Sequence, residues 1–533
     1  MPSHVPVLVV GSGPTGLIMA SQLLRRGVSC RLIDRLEQPV TTSRSFTIHA
    51  RTLELMTQLG LHDKFRAHGL PTYAMTYHFM GKEETPAVDF TELDSPYPFC
   101  LNINQNETEA ILRDYFASVG GTIEWNYQLQ SLEQTDDGVT CTLVNRATNA
   151  AETVEADWVL GCDGFYSTVR RFMDIPFDGE EYTGMEFKMM DVPVEGFEPS
   201  TDSIHYYMTK EHLLLFAKLV GENFRVLISD MGGQKTETVR EAFQAVTDVH
   251  FGGSVRIGEP SWATNFKIAR RKVDTFRQKH VFLAGDSAHV NSPAGGQGMN
   301  VSMQDAFNLG WKLAEVINGE ANAGLLDTYE AERNPIAAQL LAGTHYLNSI
   351  IMGHGNNMED RLALTKVENW NLKAVSQIAG ISYTYRESIH PLLAKTWDVP
   401  LALEAYPGDR VPYYELGDGK SIFDCFNHPD HTLLFILSET ATPETLHTYA
   451  GQAAKLIAAF KMPIAVRFIV PASMAYQTDN ANVLVDTNHS QDQASAFVDS
   501  VYLVRPDLYI AEGCPATEIE AMQEAMHTLY TLR

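Results

Sequence analysis

The amino-acid sequence predicts an α/β fold in more than one domain, and three observations carry that prediction. Residues 5–34 read in order as an apolar strand, a glycine-spaced turn, a helix and a second strand. Residues 185–265 hold several runs with strand-like alternation, such as DSIHYYMTK, LLLFAKL and FRVLIS. Beyond Pro400, strands and helices alternate again. The chain has 533 residues, 44% hydrophobic and 20% charged, enough for two or three domains of roughly 100–200 residues each.

In the first unit, the run Val5–Val10 is a buried strand, Gly11, Gly13 and Gly16 follow the G-x-G-x-x-G spacing, and a helix from Leu17 to Arg26 stops at Gly27. The strand VSCRLI then ends at Asp34. Gly11 permits a tight turn, Gly13 lets a pyrophosphate touch the backbone, and Gly16 lets helix and strand pack closely. Pro14 and Thr15 complete the turn, while Asp34 is placed for the adenosine ribose hydroxyls with Arg35 beside it. A bare structural turn is the alternative, but the full order of elements favours a Rossmann-type dinucleotide cradle. No second such unit follows, so the chain is either a plain NAD dehydrogenase or an FAD protein that meets its nicotinamide transiently.

The stretch Ala284–Asn300, AGDSAHVNSPAGGQGMN, lies between the apolar run HVFLAG and a long helical pattern. Its glycines let successive N–H groups converge, and the following helix aims its positive end at the same point. It is a loop built to hold an electron-rich group with backbone alone. His289 within it is read as a support for the loop rather than a general base.

Composition narrows the partners. Lys plus Arg number 40 against 66 for Asp plus Glu, a net charge of -26, so neither nucleic acid nor an anionic membrane surface is expected. The early strand leaves no room for a signal peptide, and no window approaches the roughly 18 uninterrupted apolar residues of a membrane span. Six cysteines contain no C-x-x-C pair, which argues against a disulfide framework, a metal cluster or a dithiol site. A reducing, cytoplasmic setting is expected, and no metal.

Together the first fingerprint, the segment GCDGFYSTVRR at 161–171 and the glycine loop at 284–300 resemble the flavin-dependent aromatic hydroxylases, single-component FAD monooxygenases of the p-hydroxybenzoate and phenol hydroxylase type. The likeness runs from residue 5 to about 340. It implies FAD as resident cofactor, with NADPH or NADH and O2 as co-substrates, and hydroxylation of a phenolic or polycyclic aromatic, such as a polyketide, through a C4a-hydroperoxyflavin. Oxygen insertion beside a ketone, of Baeyer–Villiger type, is the alternative on the same fold. A non-catalytic escort protein with a flavin fold is the alternative from another class.

The resemblance also assigns residues. Gly285 and Asp286 would meet the ribityl and pyrophosphate side of FAD, and Pro293 would lie by its reacting face. Gly296, Gly298, Met299 and Asn300 would line its pyrimidine end. Arg44 resembles a pyrophosphate-clamping arginine, with Arg51 ranked below it because a helix-surface arginine is the simpler reading. Gln105 matches a glutamine beside the ribityl chain, and Asp163 and Gly164, with Ser167 and Arg170, the turn that touches FAD and nicotinamide. The family's phenol hydroxylases carry an acid before the R-T-L-E segment, where this chain has FTIHARTLE, leaving His49 as the titratable candidate. Tyr206 is assigned to one face of its strand with Ile204 and Met208, and His205 and Tyr207 to the other; the three aromatic residues are candidate substrate contacts.

The basic run Lys267–Lys279 is read as a solvated face in preference to a guide for NADPH phosphates. The FAD-binding domain is expected over 1–184 and 266–395, including a helical extension, with a substrate-binding β-sheet domain at 185–265. Residues 400–533 resemble the thioredoxin-like domain appended to phenol hydroxylase relatives, here without C-x-x-C, so packing or a homodimer contact is its expected role. A capping box from Thr517 to Glu520 is expected to open the final helix, which buries Ile519, Met522, Met526 and Leu529.

Overall fold

A computed structural model describes residues 3–533 except 42–44, 182–185, 211, 231–237, 354–356, 389–396, 398, 478–481 and 489–496. The N-terminal unit forms as its pattern dictates. Strand β1 (Ser3–Val10) buries its last four residues, and helix α1 (Pro14–Leu24) starts with proline in its first turn, where a missing N–H is harmless. Strand β2 (Cys30–Ile33) returns parallel to β1. The main sheet then runs in the order Arg277–Gln278, Val281–Leu283, Ala151–Gly161, β1, β2, Ile123–Glu124, with two antiparallel strands at 127–145 attached beside Ala151–Gly161.

Four helices matter for the site. Besides α1, helix α2 (Ala50–Gln58) follows the segment at 45–49, helix α3 (Gly298–Ile317) follows the glycine loop, and helix α4 (Asp327–Met352) crosses behind it. Helix α3 is buried over most of its length against α1. Gly310 permits that approach, since a Cβ there would fall 2.6 Å from the Gln22 Cβ.

The middle region is a second sheet, in the order Arg256–Ile257, Glu186–Glu195, Asn223–Asp230, Leu213–Lys218, Ser203–Met208, Ala74–Phe79, Ala87–Asp89, with Trp262–Phe266 pairing on Glu186–Glu195. Two of these strands come from residues 74–89, which the expected boundary of 185–265 leaves to the FAD-binding part. The reason is local. The pattern AMTYHF alternates half-buried and buried residues and can satisfy its backbone only by adding to a sheet edge, which it does parallel to Ser203–Met208. A helix at Val239–Phe251, opened by a Thr238–Glu241 capping box, covers one face of this sheet.

The C-terminal sheet has the order Val483–Asp486, Ile464–Pro471, His431–Ile436, Ser500–Val504, Ile510–Pro515; the first three strands are parallel and the last two antiparallel. Its core includes Trp311 from α3, so this domain packs directly on the helix behind the glycine loop. The Thr517–Glu520 capping box does not form. Thr517 lies inside a 3₁₀ turn, Ala516–Glu518, and the helix starts at Ile519 without a side-chain cap. Ile519, Met522 and Met526 are buried as their spacing requires, whereas Leu529 lies beyond the helix end and is only partly buried.

One buried pair ties the middle sheet together. Arg225 and Asp191 face each other across neighbouring strands, with Nε to Oδ1 at 2.7 Å and a second donor to Oδ2 at 2.8 Å. Arg225→Met leaves that carboxylate buried without its cation and is expected to destabilise the protein by about 3–5 kcal/mol. The double variant Arg225→Met/Asp191→Leu is expected to recover most of the loss, read by urea unfolding.

Candidate active site

Four parallel strand ends lie level. Val10 pairs with both Ile33 and Gly161, and Gly161 with Leu283. The residues that follow, Gly11–Gly16, Asp34, Cys162–Gly164 and Ala284–Asp286, therefore meet along one edge. Close contacts confirm it. Gly11 has φ +102, and a Cβ there would fall 2.4 Å from the Cys162 carbonyl oxygen; at Gly16 it would fall 1.8 Å from the Gly11 oxygen. Gly285, with φ +62, would place a Cβ 2.8 Å from Thr15 Oγ1.

Gly13 and Gly164 differ: a Cβ at either meets no atom within 4 Å. The space beside Gly13 faces the N-terminus of α1, whose first turn has no acidic residue, so backbone N–H groups and the helix dipole favour an anion there. This cradle fits the pyrophosphate of FAD. Asp34 sits at the same edge, its carboxylate accepting from Ser12 N and Oγ, both at 2.8 Å, and from Leu36 N at 2.9 Å. Pro14 and Thr15 open α1, and Arg35 is exposed beside Asp34.

The Asp163 carboxylate turns onto its own segment, accepting from Ser167 Oγ at 2.5 Å and Thr168 N at 2.6 Å at the start of the short helix Thr168–Phe172. Burial raises its pKa despite these bonds. Arg170 clamps the two glycine segments together, donating to the Ser287 carbonyl at 2.8 Å and the Phe165 carbonyl at 2.7 Å. Arg51 is neither a cofactor ligand nor a surface residue: it is 1% exposed, bonded to Glu54 and the Asp507 carbonyl, and its guanidinium lies over the Tyr509 ring. Arg44 lies outside the described residues. Gln105 donates to Glu109 at 2.9 Å and accepts from Ser45 N at 3.3 Å, beside that segment.

In the glycine loop, Asp305 accepts from Gly285 N at 3.0 Å and from His289 Nε2 at 2.7 Å, while Arg333 donates to its other oxygen at 2.7 Å. Burial opposes the charge of Asp305, but Arg333 and His289 outweigh it and hold its pKa below the usual value. His289 is therefore a loop support. Asp286 is exposed at the edge, with Ser302 Oγ 3.4 Å away. The Asn300 side chain stitches the loop: Oδ1 accepts from His49 N at 2.8 Å, and Nδ2 donates to the Thr47 and Gly296 carbonyls, both at 3.0 Å. Gly298 and half-buried Met299 begin α3.

His49 is not among the residues lining the apolar pocket beside this loop. It is 1% exposed, caps α2, and its Nε2 lies 2.7 Å from the Gly295 carbonyl, which can only accept, so Nε2 carries the proton. Burial pulls its pKa down to about 4 against two backbone bonds. It anchors Gly295, whose φ is +79.

An apolar pocket opens against this loop. Pro293, Ala294 and Gly296 form one wall; Met189, Ile204, Tyr206, Leu213, Leu215 and Leu227 of the middle sheet form another. Asn348, Ile351 and Met352 of α4 close it, with Phe46, Thr47 and Met75. Tyr206 lies on this face, stacked 5.1 Å from Tyr77, and burial raises its pKa, so its hydroxyl stays protonated. His205 and Tyr207 are corrected: they point to the opposite face. There His205 bonds His78 at 3.0 Å, and Tyr207 packs on Phe251 of the covering helix. Sequence reasoning missed Asn348, Ile351 and Met352. The signal was their position at the end of a 26-residue helix, which has to turn one side onto something.

The family described as FAD binding domain matches residues 4–344. Pentachlorophenol 4-monooxygenase of Sphingobium chlorophenolicum is 43% identical over 80% of this chain and 79% of its own length. 6-Methylpretetramide 4-monooxygenase of Streptomyces rimosus is 32% identical over 98% and 94%. The solved structure of OxyS anhydrotetracycline hydroxylase from Streptomyces rimosus superposes with a TM-score of 0.75 at 27% identity, covering 99% of both chains.

Two glycines separate cradle from scaffold. Gly13→Val, with open space before it, is expected to leave the fold intact and strip most of the flavin, whereas Gly16→Val is expected to lower Tm as well; visible absorbance per protein and Tm distinguish them. His49 has its own pH signature. Its folded pKa of about 4 lies below the ordinary 6.5, so in that window the unfolded chain binds the extra proton and stability falls as pH drops. In His49→Gln the slope of unfolding free energy between pH 6.5 and 4 is expected to be shallower by about 1.4 kcal/mol per pH unit.

Proposed function

The chain belongs to the FAD binding domain family of flavin-dependent aromatic monooxygenases, and on that premise we propose that it hydroxylates a neutral phenolic or polycyclic aromatic ring held in the pocket beside Pro293. The observation that carries this reading is the contact between pocket and loop: Pro293, Ala294 and Gly296 belong to both. The apolar lining suits an aromatic ring, and the compounds named for the relatives, a chlorinated phenol and 6-methylpretetramide, are the substrates to try.

Bound FAD would supply the electron relay from NADPH or NADH to O2, of which one oxygen atom would go to the ring and the other to water. The protein's own residues do the rest. Gly11–Gly16 and the N-terminus of α1 bind the pyrophosphate, and Asp34 the ribose side. The N-terminus of α3 favours negative charge on the flavin's pyrimidine end. Leucine, isoleucine and methionine walls exclude water, which protects reactive oxygen species from wasteful breakdown. Thr47, Tyr206 and Asn348 are the polar side chains among the described lining residues; they orient substrate oxygen by hydrogen bonds. None of them is a base at neutral pH, so the pocket favours neutral rings that react without deprotonation by these side chains.

Most of the basic run at 267–279 is paired, Arg270 with Glu180, Arg271 with Glu181, Arg277 with Asp327 and Lys279 with Asp136, which supports reading it as a solvated face in preference to a guide for NADPH phosphates. The FAD-binding part is read as 1–184 and 266–395, less the strands at 74–89 that join the middle sheet. Residues 400–533 are read as thioredoxin-like, a reading supported by their strand order. Six free thiols suit a cytoplasmic enzyme.

The test is oxygen uptake by the yellow protein with NADPH over a panel of phenols and aromatic polyketides, with mass spectrometry of products. A new hydroxyl supports the proposal; a lactone assigns oxygen insertion instead, and no substrate-stimulated uptake overturns both. Tyr206→Ala is expected to raise KM by about tenfold or more, while Tyr207→Phe, on the far face, leaves KM unchanged.

A further inference from the structure

We propose that the Arg505–Tyr509 turn of the C-terminal domain is a positioning element for the loop that carries Gly285, acting through an unbroken chain of buried polar contacts. The chain starts at Asp305, which holds the Gly285 amide and receives Arg333. Arg333 also donates to the Tyr385 hydroxyl at 3.1 Å, and Asn308 reaches the same hydroxyl at 3.4 Å. Asn308 donates onward to Glu332 at 2.6 Å and to Asp507 at 3.1 Å. Glu332 receives Lys312 at 2.7 Å and both forks of Arg505 at 2.7 and 2.8 Å, and Arg505 closes on Asp507 at 2.9 and 2.6 Å. The Tyr385 and Tyr509 rings stack 4.0 Å apart.

Every one of these residues is less than a tenth exposed. The charges balance: Arg333, Lys312 and Arg505 against Asp305, Glu332 and Asp507. Joining two domains does not require this, because apolar packing does so without desolvating ions, and Trp311 already supplies such packing. What a densely bonded buried network adds is a single geometry. Here that geometry ends on the backbone of the cofactor loop, so the C-terminal domain fixes where Gly285 stands.

Contiguity alone does not establish coupling, so the test measures it in the full-length, FAD-loaded protein. Tyr385→Phe deletes one hydroxyl and keeps the ring stack and all charges. It is expected to raise the FAD dissociation constant about threefold to tenfold and to raise the fraction of NADPH lost as hydrogen peroxide. The Tm of the FAD-stripped protein stays at the parent value. Asp507→Asn is expected to act in the same direction, and the double variant to lose less than the sum of the two. Tyr413→Phe, whose hydroxyl meets Glu415 near the surface, changes none of these.

Unaltered FAD affinity and peroxide fraction in Tyr385→Phe overturn the proposal, as do strictly additive losses in the double variant. So does a Tm drop as large without FAD as with it, since that marks plain structural support. The proposal rests on the reading that the Gly285 loop faces FAD, and that reading has its own check: it fails if Asp286→Ala leaves FAD affinity unchanged.

Discussion

The register of three neighbouring parallel strands is the constraint on which the site depends. Because Val10, Gly161 and Leu283 lie level, segments separated by more than a hundred residues in sequence are forced to turn at one place. Backbones that turn side by side leave no volume for side chains, and the cost of ignoring this is visible in the 1.8 Å and 2.4 Å clashes that a Cβ would meet at Gly16 and Gly11. Three glycine-bearing corners are thus one structural event, and only Gly13 and Gly164, which face open space, remain to face a ligand.

Burial then sorts the candidate side chains. Asp163, Arg51, His49 and Asn300 all carry the chemistry a cofactor site can use, yet each side chain makes hydrogen bonds to protein groups. In a loop made largely of glycine this is required: positive-φ positions such as Gly295 and Gly296 have no side chain to hold them, so neighbours must supply the bonds that select one conformation. His49 and Asn300 do so from either side. The polar side chains named by pattern support the backbone that does the binding.

The fold's nucleotide end was legible because its signals are local: a strand, a spaced glycine triplet, a helix, a strand ending in Asp34. The middle sheet was half legible. Alternation correctly put Tyr206 and Ile204 on one face with His205 and Tyr207 on the other, but nothing local says which face meets the pocket; that is decided by the helix at Val239–Phe251, which covers the far side. Residues 74–89 were misplaced because strand partners set a sheet's membership, and partners are non-local. For the same reason Arg51 read as a surface residue. Its partners, Asp507 and Tyr509, lie in another domain, and an arginine on a helix gives no sign of a partner so distant in sequence.

The same short segment, Pro293–Gly296, walls the substrate pocket and continues into α3, whose N-terminus faces the cofactor's side of the loop. On the proposed function, substrate and cofactor therefore share a backbone. A ring that fills the pocket would press on Pro293 and Ala294, and Gly296 cannot yield freely, since a Cβ placed on it would fall 2.1 Å from Thr47 Oγ1 and Asn300 holds its carbonyl. Energy gained by filling the apolar walls, roughly 25 cal/mol for each Å² of apolar surface buried, is thereby available to bias the loop between arrangements. A pocket isolated from the loop would convert the same burial into tighter binding alone, which lowers KM without raising the rate of the chemical step.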